Sequence, residues 1–207
     1  MKLILYSMNT DTTKRALTTF KKNSGRLRTS QAVSLGIAPR TLYALRDSGQ
    51  IVEVTRGVYR LPNMEPFENA DLFQVALRTP KGVICLVSAL AFHGLTTQIP
   101  HEVYVALPRG AEKPRLDYPP VRLFWLSGTA YSAGVESHTL DGLKVRIYSR
   151  EKTIADCFKY RNKIGINIAL EALKDGLAQG CKPEDLLEFA RIDHVERTIQ
   201  PYLEAML

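Results

Sequence analysis

The sequence predicts an α+β protein in two parts. A small N-terminal domain of helices and a hairpin precedes a C-terminal α+β domain with a small, mostly antiparallel sheet and a helical tail. Three observations carry this. Helix-period patterns give way to paired β-rich runs within the first third of the chain. The stretch Leu61-Pro62-Asn63-Met64-Glu65-Pro66 has two prolines and no periodicity, as a stiff connector does. Beyond it, strand-like runs between residues 102 and 148 are followed by helical patterning from Arg150 onward. The expected domains are residues 1–63 and 67–207.

Taken in order, Thr10 to Lys22 is helix-prone, with Ala16, Leu17 and Phe20 on one face, and Asn23-Ser24-Gly25 ends it. Thr29 is the expected N-cap of a short helix reaching Leu35. Gly36 supplies the turn, with Ile37 as its apolar plug. Pro39 fits the first position of the next helix, where a missing N–H costs nothing, and Ser48-Gly49 closes that helix after Asp47. Leu42 and Leu45 face inward, leaving Arg40, Thr41, Tyr43, Ala44 and, at the margin, Asp47 on the other face. Ile51–Val54 and Val58–Leu61 then pair as a hairpin about Thr55-Arg56-Gly57, with Gly57 at the special position. Helix, turn, helix and basic hairpin in this order form a winged helix-turn-helix, a module that lays its second helix in the DNA major groove.

The charge distribution agrees. Of the net +7, residues 1–63 hold eleven Lys and Arg against three acids, a net of +8, and residues 64–207 hold seventeen against eighteen. A basic domain on a neutral one is the footprint expected when one domain meets phosphate, although winged helices also serve as protein-binding modules. Arg40, Thr41, Tyr43 and Ala44 are the candidate groove readers: Arg pairs with guanine, and Thr or Ala meets a thymine methyl. Arg40 holding only a phosphate and Tyr43 packing against the wing are the competing roles. Arg28, Ser30, Arg46, Arg56 and Arg60 are the candidate backbone contacts, which supply affinity but no sequence information. So small a module calls for two copies on paired half-sites, from a monomer or weak dimer.

In the second domain the expected elements are a helix over 69–79 and a short strand or buried helix start at 83–87 leading into 88–95. Strands follow over 102–107, 121–126, 135–140 and 143–148, then helices over 151–160, 165–178, 183–192 and 195–206. Residues 108–120 hold four prolines and read as an irregular excursion. Chemistry is sparse here. There is no GxGxxG or GxxxxGK[ST] loop and no Asp/Glu-x-Lys triplet. His93 reads as a hydrogen-bonded packing residue, and Asp156, amid apolar neighbours, as a structural carboxylate that either accepts a hydrogen bond ordering its helix or pairs with Arg150 or Arg161. Cys85, Cys157 and Cys181 show no metal spacing and fit reduced thiols in a cytoplasm. No apolar run approaches a membrane span, so the expectation is a soluble intracellular protein with no cofactor, no metal and no catalytic residue.

The run SLGIAPRTLYALRDSGQIVEVTRGVYRLP resembles the N-terminal domain of the AbiEi antitoxins, the transcription-repressing partners in bacterial abortive-infection toxin–antitoxin pairs. Residues 85–95, CLVSALAFHGL, and residues 149–156, SREKTIAD, with Tyr160-Arg161 resemble later segments of that family. The resemblance implies a winged helix that binds inverted repeats in its own promoter and represses transcription. It also implies a C-terminal domain acting against a nucleotidyltransferase-like toxin in a type IV system, direct contact not being assumed. The other reading is a stand-alone regulator whose C-terminal domain senses a small molecule or binds a protein.

Overall fold

A computed structural model describes residues 10–55, 57–64, 69–140 and 143–207. The chain divides into two compact units, Met1–Glu68 and Asn69–Leu207.

The first unit runs α1 (Thr10–Lys22), β1 (Arg26–Arg28), α2 (Thr29–Ser34), α3 (Pro39–Asp47), β2 (Val52–Thr55) and β3 (Val58–Arg60). The strands form an antiparallel sheet in the order β1-β3-β2. Ala16 and Phe20 of α1, Ala32 of α2, Leu42 and Leu45 of α3 and Tyr59 of β3 close one core with Leu27, Ile37 and Ile51. Gly36 takes φ +83, a left-handed conformation open to glycine, and turns the chain so that the Ile37 N–H reaches the Ala32 carbonyl at 2.8 Å. Pro39 opens α3 as its missing donor predicts.

One element is additional to the sequence reading and one expectation is revised. Residues 26–28 form a strand, since Leu27 alternates inward against Tyr59 while its two arginines lie to either side. Thr29 is the first residue of α2 rather than its cap. Its backbone N–H and hydroxyl both donate to the Gly57 carbonyl, at 2.8 and 3.2 Å, and the Gln31 side chain accepts from the Arg28 N–H instead.

The second unit runs α4 (Ala70–Arg78), β4 (Val83–Ile84), α5 (Leu86–His93), β5 (Val103–Pro108), β6 (Val121–Leu126), α6 (Thr129–Ser132), β7 (Val135–Leu140) and β8 (Leu143–Tyr148). It continues through α7 (Arg150–Lys159), α8 (Arg161–Ile164), α9 (Ile166–Ala178), α10 (Pro183–Ile192) and α11 (Glu196–Met206). The α+β class is as expected, but the sheet, ordered β6-β5-β4-β8-β7, is mixed rather than mostly antiparallel. β5 pairs with β6, and β4 with β8, in parallel. The excursion after Pro108 carries the chain back along the sheet, so β6 enters in the direction of β5. Alternation then places Val103, Val105, Val145 and Ile147 against α4. The opposite face meets α5 and the helices that follow it. Helix α5 is apolar nearly all round, as a doubly covered helix must be, and α7 is buried at every position from Lys152 to Phe158.

Candidate nucleic-acid interface

The outward stripe of α3 is Arg40, Tyr43, Ala44 and Asp47, spaced i, i+3, i+4 and i+7. Arg40 and Asp47 are exposed, Tyr43 is 47% exposed and Ala44 is half-buried. Thr41 is elsewhere. It shares the i, i+1, i+4 face of Leu42 and Leu45 and is 7% exposed, so the structure turns it to the core rather than to a groove.

The wing is fastened to this helix pair through Gly57. Its carbonyl accepts from Thr29 at the start of α2, and its N–H donates to Glu53 Oε1 at 2.8 Å. Gly57 has φ +76, and an added Cβ would stand 3.1 Å from Thr29 Oγ1, so the close approach and the backbone geometry both ask for glycine. The other Glu53 oxygen, Oε2, takes Arg46 Nη1 at 3.0 Å. Arg46 also gives Nε and Nη2 to Asp47 Oδ1, at 3.0 and 2.9 Å, and lies over the Tyr43 ring at 5.3 Å. Burial alone would raise the Glu53 carboxyl, but the Gly57 N–H and Arg46 outweigh it and hold the group below its ordinary value. Hydrogen bonds to Glu53 and then Asp47 hold Arg46 above its own. A cleft of about 510 Å³ between α3 and the wing is lined by Thr29, Tyr43, Arg46, Glu53, Gly57 and Tyr59.

Among the other sequence candidates, Ser30 is exposed on the first turn of α2, and Arg28 is half-buried just before it, its guanidinium pulled down by that burial. Arg60 Nη1 donates to the carbonyls of Leu61, Pro62 and Met64 at 3.2, 3.1 and 2.7 Å, so this arginine holds the chain leaving the wing. Arg56 lies outside the described residues. Glu53, which ties α3 to the wing, was not singled out from the sequence. Its signal was there: a lone acid in a hairpin whose other charges are basic.

The second unit concentrates its charge inside. Lys152 Nζ lies 2.6 Å from Asp156 Oδ1 and 2.9 Å from Asp193 Oδ2, all three being essentially inaccessible, and Lys159 reaches Asp193 at 3.1 Å. Of the two roles expected for Asp156, it accepts a hydrogen bond within its own helix rather than pairing with an arginine. Arg161 donates to the Phe158 carbonyl, and the actual partner of Asp156 is Lys152, one helical turn before it. Burial first, and the neighbouring Asp193 carboxylate next, push Asp156 up to about 8 against the pull of Lys152. Burial would lower Lys152, but its two carboxylates outweigh this and raise it. His93 Nε2–H donates to the Tyr148 carbonyl at 2.7 Å, as a packing residue does. Among the described residues no group of three His, Cys, Asp or Glu could hold a metal, and no helix is long and apolar enough to cross a membrane.

Three comparisons bear on this geometry. No curated protein matches the sequence. The fold is similar to the crystal structure of the RV2827C protein from Mycobacterium tuberculosis, with a TM-score of 0.60 and 13% identity over 94% of this chain and 81% of that one. At that identity the likeness concerns the fold. The family described as "Transcriptional regulator, AbiEi antitoxin" matches residues 14–62, which span α2, α3 and the whole hairpin. This is a family of regulators, not of enzymes, and its general role is that of transcriptional regulator and antitoxin. Over residues 14–62, therefore, the chain matches the AbiEi antitoxin family of transcriptional regulators.

Proposed function

We propose that the first unit binds duplex DNA at inverted repeats of its own promoter, and that the whole chain acts as autorepressor and antitoxin of a type IV toxin–antitoxin pair with a nucleotidyltransferase-like toxin. The observation that carries this reading is the outward Arg40–Tyr43–Ala44 stripe, with Arg40 and Tyr43 exposed, beside a wing pinned to the same helix pair, in the segment 1–63 of net charge +8. Arg40, Tyr43 and Ala44 read base edges. Arg28, Ser30 and Arg56 hold phosphates, with the N–H groups at the start of α2 beside them, and Arg46 stands by as a fourth. Thr41 supports α3 from the core side and Arg60 sets the exit of the wing. Two copies on paired half-sites supply the affinity, and no catalytic step is assigned to the second unit.

A gel shift on the region upstream of the gene, with a salt titration, tests the DNA reading. Binding that weakens linearly in log–log salt and prefers the upstream sequence over random duplex is expected. No shift at low salt overturns it. Growth rescue on co-expression with a nucleotidyltransferase-like toxin encoded beside the gene tests the antitoxin half, and unrescued arrest overturns that half.

One observation favours the second reading, in which the C-terminal unit senses a small molecule or binds a protein. A groove of about 430 Å³ there is lined in part by Val87, Ile99, Tyr104, Lys163 and Ile168, with Ile99 85% exposed. An isolated gene, and promoter binding that a cell metabolite extract releases, would favour that reading over the antitoxin.

A further inference from the structure

Arg46 occupies the junction of α3 and the wing, where a strand of the duplex would pass in the DNA-binding reading. Two carboxylates already hold it there. Asp47 takes the Nε and Nη2 edge of the guanidinium, and Glu53 takes Nη1. The Tyr43 ring lies beneath the same group at 5.3 Å and adds a weak attraction to it. A phosphate offers a guanidinium the same paired oxygens as a carboxylate. These contacts are also partly solvated: the side chains of Arg46, Glu53 and Asp47 are 38%, 25% and 66% exposed. Ion pairs at such exposure are weak and exchange readily. Glu53 is meanwhile a carboxylate on the most basic part of the chain, in the cleft between reading helix and wing.

We propose that Glu53, assisted by Asp47, is an intramolecular competitor for DNA phosphate. It occupies Arg46 until a backbone phosphate displaces it, and so lowers the affinity of the unit for duplex DNA of any sequence. This rests on the DNA-binding reading above and deepens it by assigning a positioning and restraining role to one carboxylate. The simpler role for Glu53, a clip that closes the wing through Gly57, needs only an oxygen acceptor at that position, and glutamine supplies one.

The experiment is a salt titration of random-sequence duplex binding by the full chain as wild type, Glu53→Gln, Arg46→Ala and the double variant, each first checked for an unchanged melting curve. Three results are expected. Arg46→Ala alone weakens binding less than the loss of an unpaired arginine would, because breaking the Arg46–Glu53 pair offsets part of what its phosphate contact supplies. Glu53→Gln binds severalfold more tightly, with a log–log salt slope steeper by about 0.9, the increment for one further uncompensated positive charge at phosphate. The double variant loses both gains. A Glu53→Gln slope equal to that of the wild type overturns the proposal, as does a gain that survives without Arg46, since that would be a general charge effect. If Glu53→Gln does not fold, Asp47→Asn repeats the test from the exposed side of the same guanidinium, and an unchanged slope there overturns the proposal equally. If neither wild type nor variant binds any duplex at low salt, the DNA-binding reading itself falls and takes this role with it. A binding wild type with an unmoved variant removes the competitor alone.

Discussion

Arg46 in the N-terminal unit and Lys152 in the C-terminal unit each stand between two acidic side chains. The Arg46 side chain is 38% exposed and that of Lys152 is not exposed at all. Exposure decides what each cluster can do. Charges left in water interact weakly and re-pair at little cost, which suits a surface that must exchange one anion for another. Charges taken out of water are fixed, because losing one partner strands the others in a medium that cannot solvate them. A cationic side chain between two acids therefore has opposite meanings in the two units: a replaceable contact in the first, and in the second a brace joining α7 to the start of the turn before α11.

The largest effect that could break this contrast is at Lys152. Lys152→Met leaves Asp156 and Asp193 buried without their shared cation and should destabilise the second unit by about 3–5 kcal/mol. Trp125, the single tryptophan, belongs to that unit, so its fluorescence during denaturant unfolding reads the loss directly. A loss under 1 kcal/mol would place the cluster with the exchangeable kind.

A second test is pH. Burial and the neighbouring Asp193 carboxylate hold the Asp156 carboxyl above its ordinary 3.8, toward about 8, so the folded state keeps a proton that the unfolded chain has released. Its contribution is fully present below the unfolded value and is lost as pH rises through the folded one. Stability of the second unit should therefore fall between about pH 4 and 8, by at most one proton's worth, ~1.4 kcal/mol per pH unit. Asp156→Asn should flatten that slope, and an unchanged slope would assign the titration to another group.

The apolar core of the first unit ranks with these. Leu45→Ala, at a fully buried position of α3, should cost about 2–5 kcal/mol and abolish DNA binding by loosening the reading helix, while the Trp125 transition stays in place. Movement of the Trp125 transition would mean that the two units do not respond separately. The smallest effect is expected at Arg40. Arg40→Ala should leave melting unchanged, weaken binding to the preferred sequence by about 1–3 kcal/mol and relax discrimination at one base pair. Equal losses on specific and random duplex would make Arg40 a phosphate contact, the alternative left open by its residue type alone.

Local chemistry made the first unit legible. Gly36, Ile37 and Pro39 punctuate the helix pair through backbone rules that act within a few residues, and Thr10–Lys22 emerges from its periodicity with the same ends in the structure. β1 was hidden because a three-residue strand with arginine at both ends carries no alternation to detect. Thr41 was misplaced by one step around the α3 wheel, an error that a polar residue beside two leucines invites. In the second unit, strands 121–126, 135–140 and 143–148 were legible by composition, but their parallel or antiparallel pairing depends on how long connections return, which no local pattern encodes. The Lys152–Asp156 pair was not picked out from the sequence, which offered Arg150 and Arg161 as partners for Asp156. Only the arrival of Asp193, 41 residues from Lys152, turns it into an interior cluster.

The fastening of the wing through Gly57 bears on the thermodynamics of docking. Three hydrogen bonds, from the Thr29 N–H and hydroxyl and to Glu53, hold that glycine before any nucleic acid arrives. The loss of backbone freedom that accompanies ordering a hairpin against a helix thus falls within folding rather than within association. Duplex capture by such a pre-shaped clamp should show a modest heat-capacity change and little rearrangement of amide exchange at Gly57, unlike a recognition loop that orders only on contact.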